Sequence, residues 1–289
     1  MTPGPANPVA QVRAQVAATS SAGDYRRLVL DAPAIAAEAQ PGQFVALAVG
    51  GPASALLLRR SFSLHRADPG SGQIEIVVAD AGPGTRWIMG LHAGAQVEIA
   101  GPLGRPFPLP ASSGACILIG GGYGSAPMFW LADRLRAKGF AVHLILGAAS
   151  AGRLFGSDLA AAEEVTITTD DGSQGMRGRV TDPLPDLIDR LSAVDVYACG
   201  PMPMLRAVHE VAAGRGATAH VAVEEAMACG VGVCMTCVLP VVGRDGMTRM
   251  TRSCIDGPTF DGGAIRWDAI ADGRVAVPAD AIGVAAVRR

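Results

Sequence analysis

Four cysteines, Cys229, Cys234, Cys237 and Cys254, follow the spacing C-x4-C-x2-C-x16-C. Three thiols in one short segment with a fourth downstream form the ligand pattern of a plant-type 2Fe-2S cluster. Structural zinc and free thiols are the alternatives. Zinc usually takes two separated knuckles, whereas this segment has one C-x2-C knuckle and an extra cysteine upstream. The spacing therefore points to chemistry with single electrons. Gly230 and Gly232 let the loop bend tightly, and N–H groups exposed in such a loop can hydrogen-bond to cluster sulfur and tune its potential. Cys116 and Cys199 stand outside the quartet. Cys116 opens the apolar run Cys116-Ile117-Leu118-Ile119 and reads as a small buried hydrophobe.

Three glycine-rich turns and one strand supply further candidates. Gly120-Gly121-Gly122-Tyr123-Gly124-Ser125 lies between an apolar strand and a helix, a context that lets a pyrophosphate approach backbone N–H groups. It departs from G-x-G-x-x-G, so a plain tight turn is an equal reading. Cys199-Gly200-Pro201 ends a later strand, where ligands of parallel sheets gather, although Gly-Pro also simply terminates strands. Arg60-Ser61-Phe62-Ser63 puts Arg60 and Phe62 on one face and Ser61 and Ser63 on the other. Arginine suits a phosphate, and the ring covers a flavin or fills a core. Gly84 and Thr85 open a helix expected over 86–91 and offer free N–H groups. Nicotinamide gives up a hydride while a 2Fe-2S center accepts one electron at a time, so a flavin is the converter that makes these pieces coherent.

Other polar residues read as structural. The five histidines lack ligand spacing. Asp170-Asp171 reads as a turn, Glu224-Glu225 as a solvated pair ahead of the cysteine loop, and Met202 and Met204 as the start of a helix packed on a sheet. Arg134 and Arg136 read as a solvated helix face.

The elements that must hold these residues fall into an all-β part and an α/β part. Strands are expected at 10–19, 25–32, 44–49, 60–65, 73–78 and 96–100, punctuated at Pro41-Gly42, Gly50-Gly51-Pro52, Asp68-Pro69-Gly70 and Gly82-Pro83-Gly84, a rhythm of antiparallel barrels or sandwiches. From 115 the pattern alternates: strand 115–120, helix 127–138, strand 141–147, strand 165–169, helix 182–191, strand 194–199, helix 203–214. That predicts a parallel sheet with helices on both faces. A strand at 220–223 leads into the cysteines, and 238–248 predicts a small hairpin turning at 243–246. The expected domains are 1–110, 111–218 and 219–289.

The chain has 289 residues, is 49% hydrophobic and carries a formal net charge of −2, with Lys138 its sole lysine. It is a packed globule of two or three domains without a basic block, which predicts no nucleic-acid or anionic-membrane partner. Met1 to Gln11, with Pro3, Pro5 and Pro8, lacks the pattern of a secretory signal, and no stretch has the length of a membrane span, so a cytoplasmic location is expected.

The chain resembles the electron-transfer subunits of NAD-linked dihydroorotate dehydrogenase, members of the ferredoxin-reductase-like flavoproteins. The resemblance runs nearly end to end. It rests on Arg60-Ser61-Phe62-Ser63, Gly84-Thr85, Gly101-Pro102-Leu103-Gly104, Gly120-Gly121-Gly122-Tyr123-Gly124, Thr169-Asp170-Asp171-Gly172-Ser173, Cys199-Gly200-Pro201, and the cysteines with Cys254-Ile255-Asp256-Gly257-Pro258-Thr259-Phe260. It implies an antiparallel flavin-binding barrel, a parallel-sheet NAD-binding domain and a small C-terminal 2Fe-2S domain. By resemblance Arg60 meets FAD phosphate, Ser63 lies near the flavin ring, Gly84 and Thr85 hold its pyrophosphate, and Gly120, Gly121, Gly122, Gly124 and Cys199 face the nicotinamide; Ser61, Phe62 and Gly200 are expected to bind cofactor with them. Electrons would pass between NAD(H), FAD and the cluster and an FMN-containing catalytic subunit, dihydroorotate dehydrogenase, in a hetero-oligomer, a heterotetramer of two chains of each kind. The same cofactors would also serve a sulfhydrogenase, a ferredoxin or another flavin dehydrogenase. The family usually has Arg-Pro-x-Ser where this chain has Arg60-Ser61-Phe62-Ser63, and a more glycine-rich loop at Gly104-Arg105-Pro106-Phe107.

Overall fold

The computed structural model describes residues 9–51, 54–111, 113–156, 164–271 and 273–282. Pro3, Pro5, Pro8 and Pro52, and with them most of the leader reading, lie outside the described residues.

The first elements are β1 (Ala10–Ala22), β2 (Tyr25–Asp31), α1 (Pro33–Ala36), β3 (Phe44–Leu47), β4 (Arg60–Asp68), β5 (Gln73–Val78), α2 (Pro83–Met89) and β6 (Gln96–Leu103). The six strands close into an antiparallel barrel in the order β1-β2-β5-β4-β3-β6. Strict alternation fills it: Leu28 and Leu30, Ile74, Ile76 and Val78, and Val97 and Ile99 are buried at every second position. Register shifts at Val16/Ala18, Phe44/Ala46 and Leu64/Arg66 bend the strands as closure demands.

Next come β7 (Ala115–Gly121), α3 (Ala126–Arg136), β8 (Ala141–Ala148), β9 (Glu164–Thr169), β10 (Met176–Arg177), α4 (Leu184–Leu191), β11 (Asp195–Cys199), α5 (Met202–Ala213) and β12 (Thr218–Ala222). The last segment holds the hairpin β13 (Val238–Val242) and β14 (Thr248–Arg252), α6 (Ser253–Asp256), β15 (Thr259–Asp261), and the pair β16 (Ile270–Ala271) and β17 (Arg274–Val275). The main sheet runs β10-β9-β8-β7-β11-β12-β15, parallel except at β15. Both faces of β7 are covered. Cys116 and Leu118 pack on the α3 side, and Ile117 and Ile119 pack on the α4 and α5 side, which is why the strand reads as an unbroken apolar run.

Helix α3 is apolar nearly all round because it is buried on two sides. Phe129 and Leu131 join the sheet core, and Trp130 enters the barrel core. The barrel and sheet therefore meet through this helix.

Two expectations need correction. The hairpin extends to Arg252, because the turn is wider than 243–246 and β14 starts only at Thr248, with Gly243 N–H bonded to Met247 O. Helix α4 starts at Leu184 rather than Asp182, since Pro183 occupies its N-cap position. Strand β15 returns to pair with β12, so the cysteine segment is stitched to the sheet at both ends.

Candidate redox site

Between β12 and β13 the chain forms no helix or strand; the loop is organised around sulfur. The N–H groups of Val231 and Val233 donate to Cys229 Sγ at 3.4 and 3.3 Å, and Gly232 N–H donates to Cys254 Sγ at 3.1 Å. Gly232 can make that turn because it holds φ of 80°, and a side chain there would lie 2.7 Å from Ile255 Cδ1. The fourth cysteine comes from α6, which Ser253 N–H ties to Cys237 O at 2.9 Å, while Arg252 Nη1 holds Gly232 O at 2.9 Å.

The thiols associate in pairs, Cys229 with Cys234 and Cys237 with Cys254. Hydrogen bonds from Thr236, and then from Cys229, draw the Cys234 thiol down to about 6. The bond to Cys254 draws Cys237 down to about 6, and the same bond, with burial, pushes Cys254 up. Lowered thiols are the ones ready to ligate as thiolates. Among the described residues no three His, Cys, Asp or Glu side chains are grouped to hold one metal ion. Two pairs of thiols beside loop N–H groups suit a cluster of two irons, each taking two cysteines. The chemistry of this donor set fits a 2Fe-2S group.

The loop rests on the barrel. Phe44 and Ala46 of β3 and Leu103 of β6 form one apolar cluster with Cys237 and Cys254. On the other side of β3 runs β4, with Ser61 opposite Ala46, Phe62 opposite Val45 and Ser63 opposite Phe44. One strand therefore separates the cysteine seat from the Arg60–Ser63 segment. The Arg60 guanidinium donates to Leu58 O at 2.5 Å and lies against Gly84, where a Cβ would sit 2.7 Å from Arg60 Nε. Gly84 and Thr85 are in the first turn of α2, whose N–H groups have no partner within the helix. The Thr85 hydroxyl is engaged locally, accepting from Ala81 N–H at 2.8 Å and donating to Gly82 O at 3.0 Å. A guanidinium facing free helical N–H groups suits a pyrophosphate.

Two further motifs that lie far apart in sequence also meet. Arg105 N–H bonds to Gly257 O at 2.6 Å, and Thr259 Oγ1 donates to Pro106 O at 2.8 Å. The segment after β6 thus clasps the segment after Cys254.

The third part is a cavity of about 790 Å³ beyond the carboxyl ends of β7, β8, β9 and β11. Gly121 and Gly122 of the glycine turn line it, with Gly147 to Ala149, Thr168 and Asp170, Pro201 and Met204. This is the switch point of the sheet, with β8 on one side of β7 and β11 on the other. Gly120, Gly124, Cys199 and Gly200 lie beneath that lining. At Gly124 a Cβ would be 2.5 Å from Cys199 O, so only glycine lets the turn settle on β11. Cys199 is buried, and burial pushes its thiol well up, with Glu224 adding to the effect. Thr168 Oγ1 and Ser125 Oγ are buried without a partner among the described residues. A cleft of this size, largely apolar with an orphaned hydroxyl in its wall, fits a dinucleotide.

Sequence reasoning passed over the groups that join these parts. Tyr25 of the barrel packs edge-on to Tyr123 of the glycine turn at 6.4 Å and donates to Arg153 O at 2.7 Å. Tyr123 Oη donates to Glu224 Oε2 at 3.0 Å. Glu224 is thus no solvated residue; it is half-buried, and burial raises its carboxyl while the Tyr123 bond partly offsets the rise. Its position directly after a sheet strand was the available signal.

Comparison with known proteins agrees with this geometry. Residues 224–266 match the iron-sulfur cluster binding domain of dihydroorotate dehydrogenase B. The dihydroorotate dehydrogenase B (NAD(+)) electron transfer subunit of Geobacillus thermodenitrificans is 41% identical over 241 residues, covering 82% of this chain and 91% of that one. The corresponding subunit of Shouchella clausii is 36% identical over 86% of this chain and 94% of its own length. Among solved structures, that of an NADH-dependent reduced ferredoxin-NADP oxidoreductase superposes with a TM-score of 0.77 at 27% identity, over 89% of this chain and 91% of that chain. Phthalate dioxygenase reductase shares the fold, with a TM-score of 0.58 at 19% identity, over 81% of this chain and 87% of that one.

Proposed function

This chain belongs to the family of dihydroorotate dehydrogenase B electron transfer subunits, and from that premise we propose how its residues carry electrons between NAD(H), FAD, a 2Fe-2S cluster and a separate catalytic subunit. The observation that carries the proposal is the shared strand. The seat of Cys237 and Cys254 on β3 is paired residue for residue with Arg60 to Ser63 on β4, and the same barrel meets the nucleotide cavity through α3.

When bound, FAD would supply the conversion between hydride transfer with a nicotinamide and single-electron transfer with a cluster. The protein's task is positioning. Arg60 and the N–H groups of Gly84 and Thr85 hold the FAD phosphates, and Ser61, Phe62 and Ser63 border the flavin ring. Gly121 and Gly122 let the nucleotide approach the backbone, Gly120 and Gly124 let the turn settle, and Cys199 with Gly200 backs that turn at Gly124. Cys229, Cys234, Cys237 and Cys254 ligate iron, and the loop N–H groups already aimed at Cys229 and Cys254 stabilise charge on sulfur.

The barrel, the parallel sheet with its helices and the cysteine segment after β12 then serve flavin, nucleotide and cluster. Cys234 is exposed while Cys237 and Cys254 are buried, so one side of the cysteine loop is open for electrons to leave. The partner is an FMN-containing dihydroorotate dehydrogenase in a hetero-oligomer, working in the cytoplasm. No helix among the described residues is long and apolar enough to cross a membrane.

The test is co-purification with a dihydroorotate-oxidising subunit followed by an assay of NAD reduction. Coupled turnover that depends on both chains is expected. If the pair does not associate and dihydroorotate yields no NADH, the partner assignment fails.

A further inference from the structure

We infer that His65 is a positioning residue that locks the strand carrying Arg60 to Ser63 against the glycine turn of the nucleotide cavity. The inference rests on the proposed function, since it concerns how the two cofactor sites of that reading are held in register.

The register of β4 against β5 shifts between Leu64 and Arg66. Consecutive strand residues face opposite sides, and here both Leu64 and His65 are buried, one on each side. Leu64 fills the barrel core, and His65, 1% exposed, points out of the barrel at α3. There His65 Nδ1 lies 2.6 Å from Ala126 O. Ala126 is the first residue of α3 and follows directly on the turn from Gly120 to Ser125. A carbonyl only accepts, so Nδ1 carries the proton and donates.

The ring stands edge-on to Phe129 of α3 at 6.0 Å and to Phe155 at 5.3 Å, and Phe155 in turn packs on Tyr25. The other nitrogen faces Glu75 at 4.0 Å, and Glu75 is already held by Arg27 at 2.5 Å. Burial lowers the pKa of the imidazole, with Glu75, Arg66 and Arg27 the charged groups around it. One short bond therefore links a residue two places after Ser63 to the residue two places after Gly124.

Two substitutions separate the bond from the packing. His65→Phe keeps a ring against Phe129 and Phe155 but removes the donor. His65→Asn keeps a donor at the position of Nδ1 but removes the ring. The holoprotein is mixed anaerobically with saturating NADH and flavin bleaching is followed, with FAD and iron content measured on the same samples. His65→Phe is expected to slow bleaching by about 10- to 100-fold, as a misplacement on the order of 1 Å does, with the KM for NADH little changed. His65→Asn is expected to stay within about threefold of wild type even if its melting temperature falls.

Two readouts independent of turnover accompany these. The 15N shifts of the imidazole should assign the proton to Nδ1, and amide exchange across 122–130 should quicken in His65→Phe and not in His65→Asn. Wild-type bleaching together with unchanged bleaching in His65→Phe, or an equal loss in both variants, overturns the inference. If wild type itself is not bleached by NADH, the proposed function fails first and this inference with it.

Discussion

The cysteine loop and the nucleotide cavity serve one electron path, yet they are built in opposite ways. The loop draws three of its four sulfur ligands from a single run of residues and has almost no regular structure of its own. Hydrogen bonds from its backbone to sulfur, and an apolar seat of Phe44, Ala46 and Leu103, fix its shape. The cavity has no such local program. Its walls come from the ends of four strands, the run 178–181, α5 and barrel residues including Tyr25 and Ala79, and no single run contributes more than four residues. A site written locally can be lost at one residue without disturbing its neighbour, whereas a site assembled from many elements depends on how they pack.

The largest expected effect tests that independence. Cys254→Ser should abolish iron binding, as measured by iron content and visible absorption, while NADH still bleaches the flavin; a parallel loss of bleaching would show that the two regions fold as one. Gly124→Val comes next. Its side chain would meet Cys199 O at 2.5 Å or closer, so the turn must lift, and NADH-driven bleaching should fall about 100-fold with cluster content intact. Arg60→Ala removes the guanidinium proposed to pair with phosphate, a contact worth about 2 kcal/mol, and FAD should bind about 30-fold more weakly in equilibrium titration.

The smallest effect falls where the regions touch. Burial raises the Glu224 carboxyl, so the folded state holds this proton more tightly than the unfolded chain does. That contribution to stability is full below the ordinary carboxylate range and is lost as pH rises through the raised value. Tyr123→Phe removes a donor that favours the charged form. Glu224 should then titrate higher still, and stability at neutral pH should fall by about 1 kcal/mol, read from unfolding curves across pH.

Much of this was legible in the chain. The cysteine spacing, the alternation of Leu28, Leu30, Ile74 and Ile76, and the apolar run through β7 each carry their meaning within a few residues. What stayed hidden depends on distance. Thr259 to Asp261 is too short to read as a strand, and it becomes one only because β12 offers an edge. Charged Arg249 and Arg252 concealed β14, although Arg249 is paired with Asp245 across the turn. His65 and Glu224 look like ordinary polar residues until the fold brings Ala126 and Tyr123 to them.

The central claim is that four cysteines hold an iron–sulfur cluster fed from NADH through a flavin. Anaerobic titration of the purified holoprotein with NADH, followed by visible absorption and electron paramagnetic resonance, tests it most directly. The flavin bands should bleach and a reduced 2Fe-2S signal should appear together, in a protein holding iron and acid-labile sulfide in equal amounts. A colourless protein carrying stoichiometric zinc, with no spectral response to NADH, would contradict it.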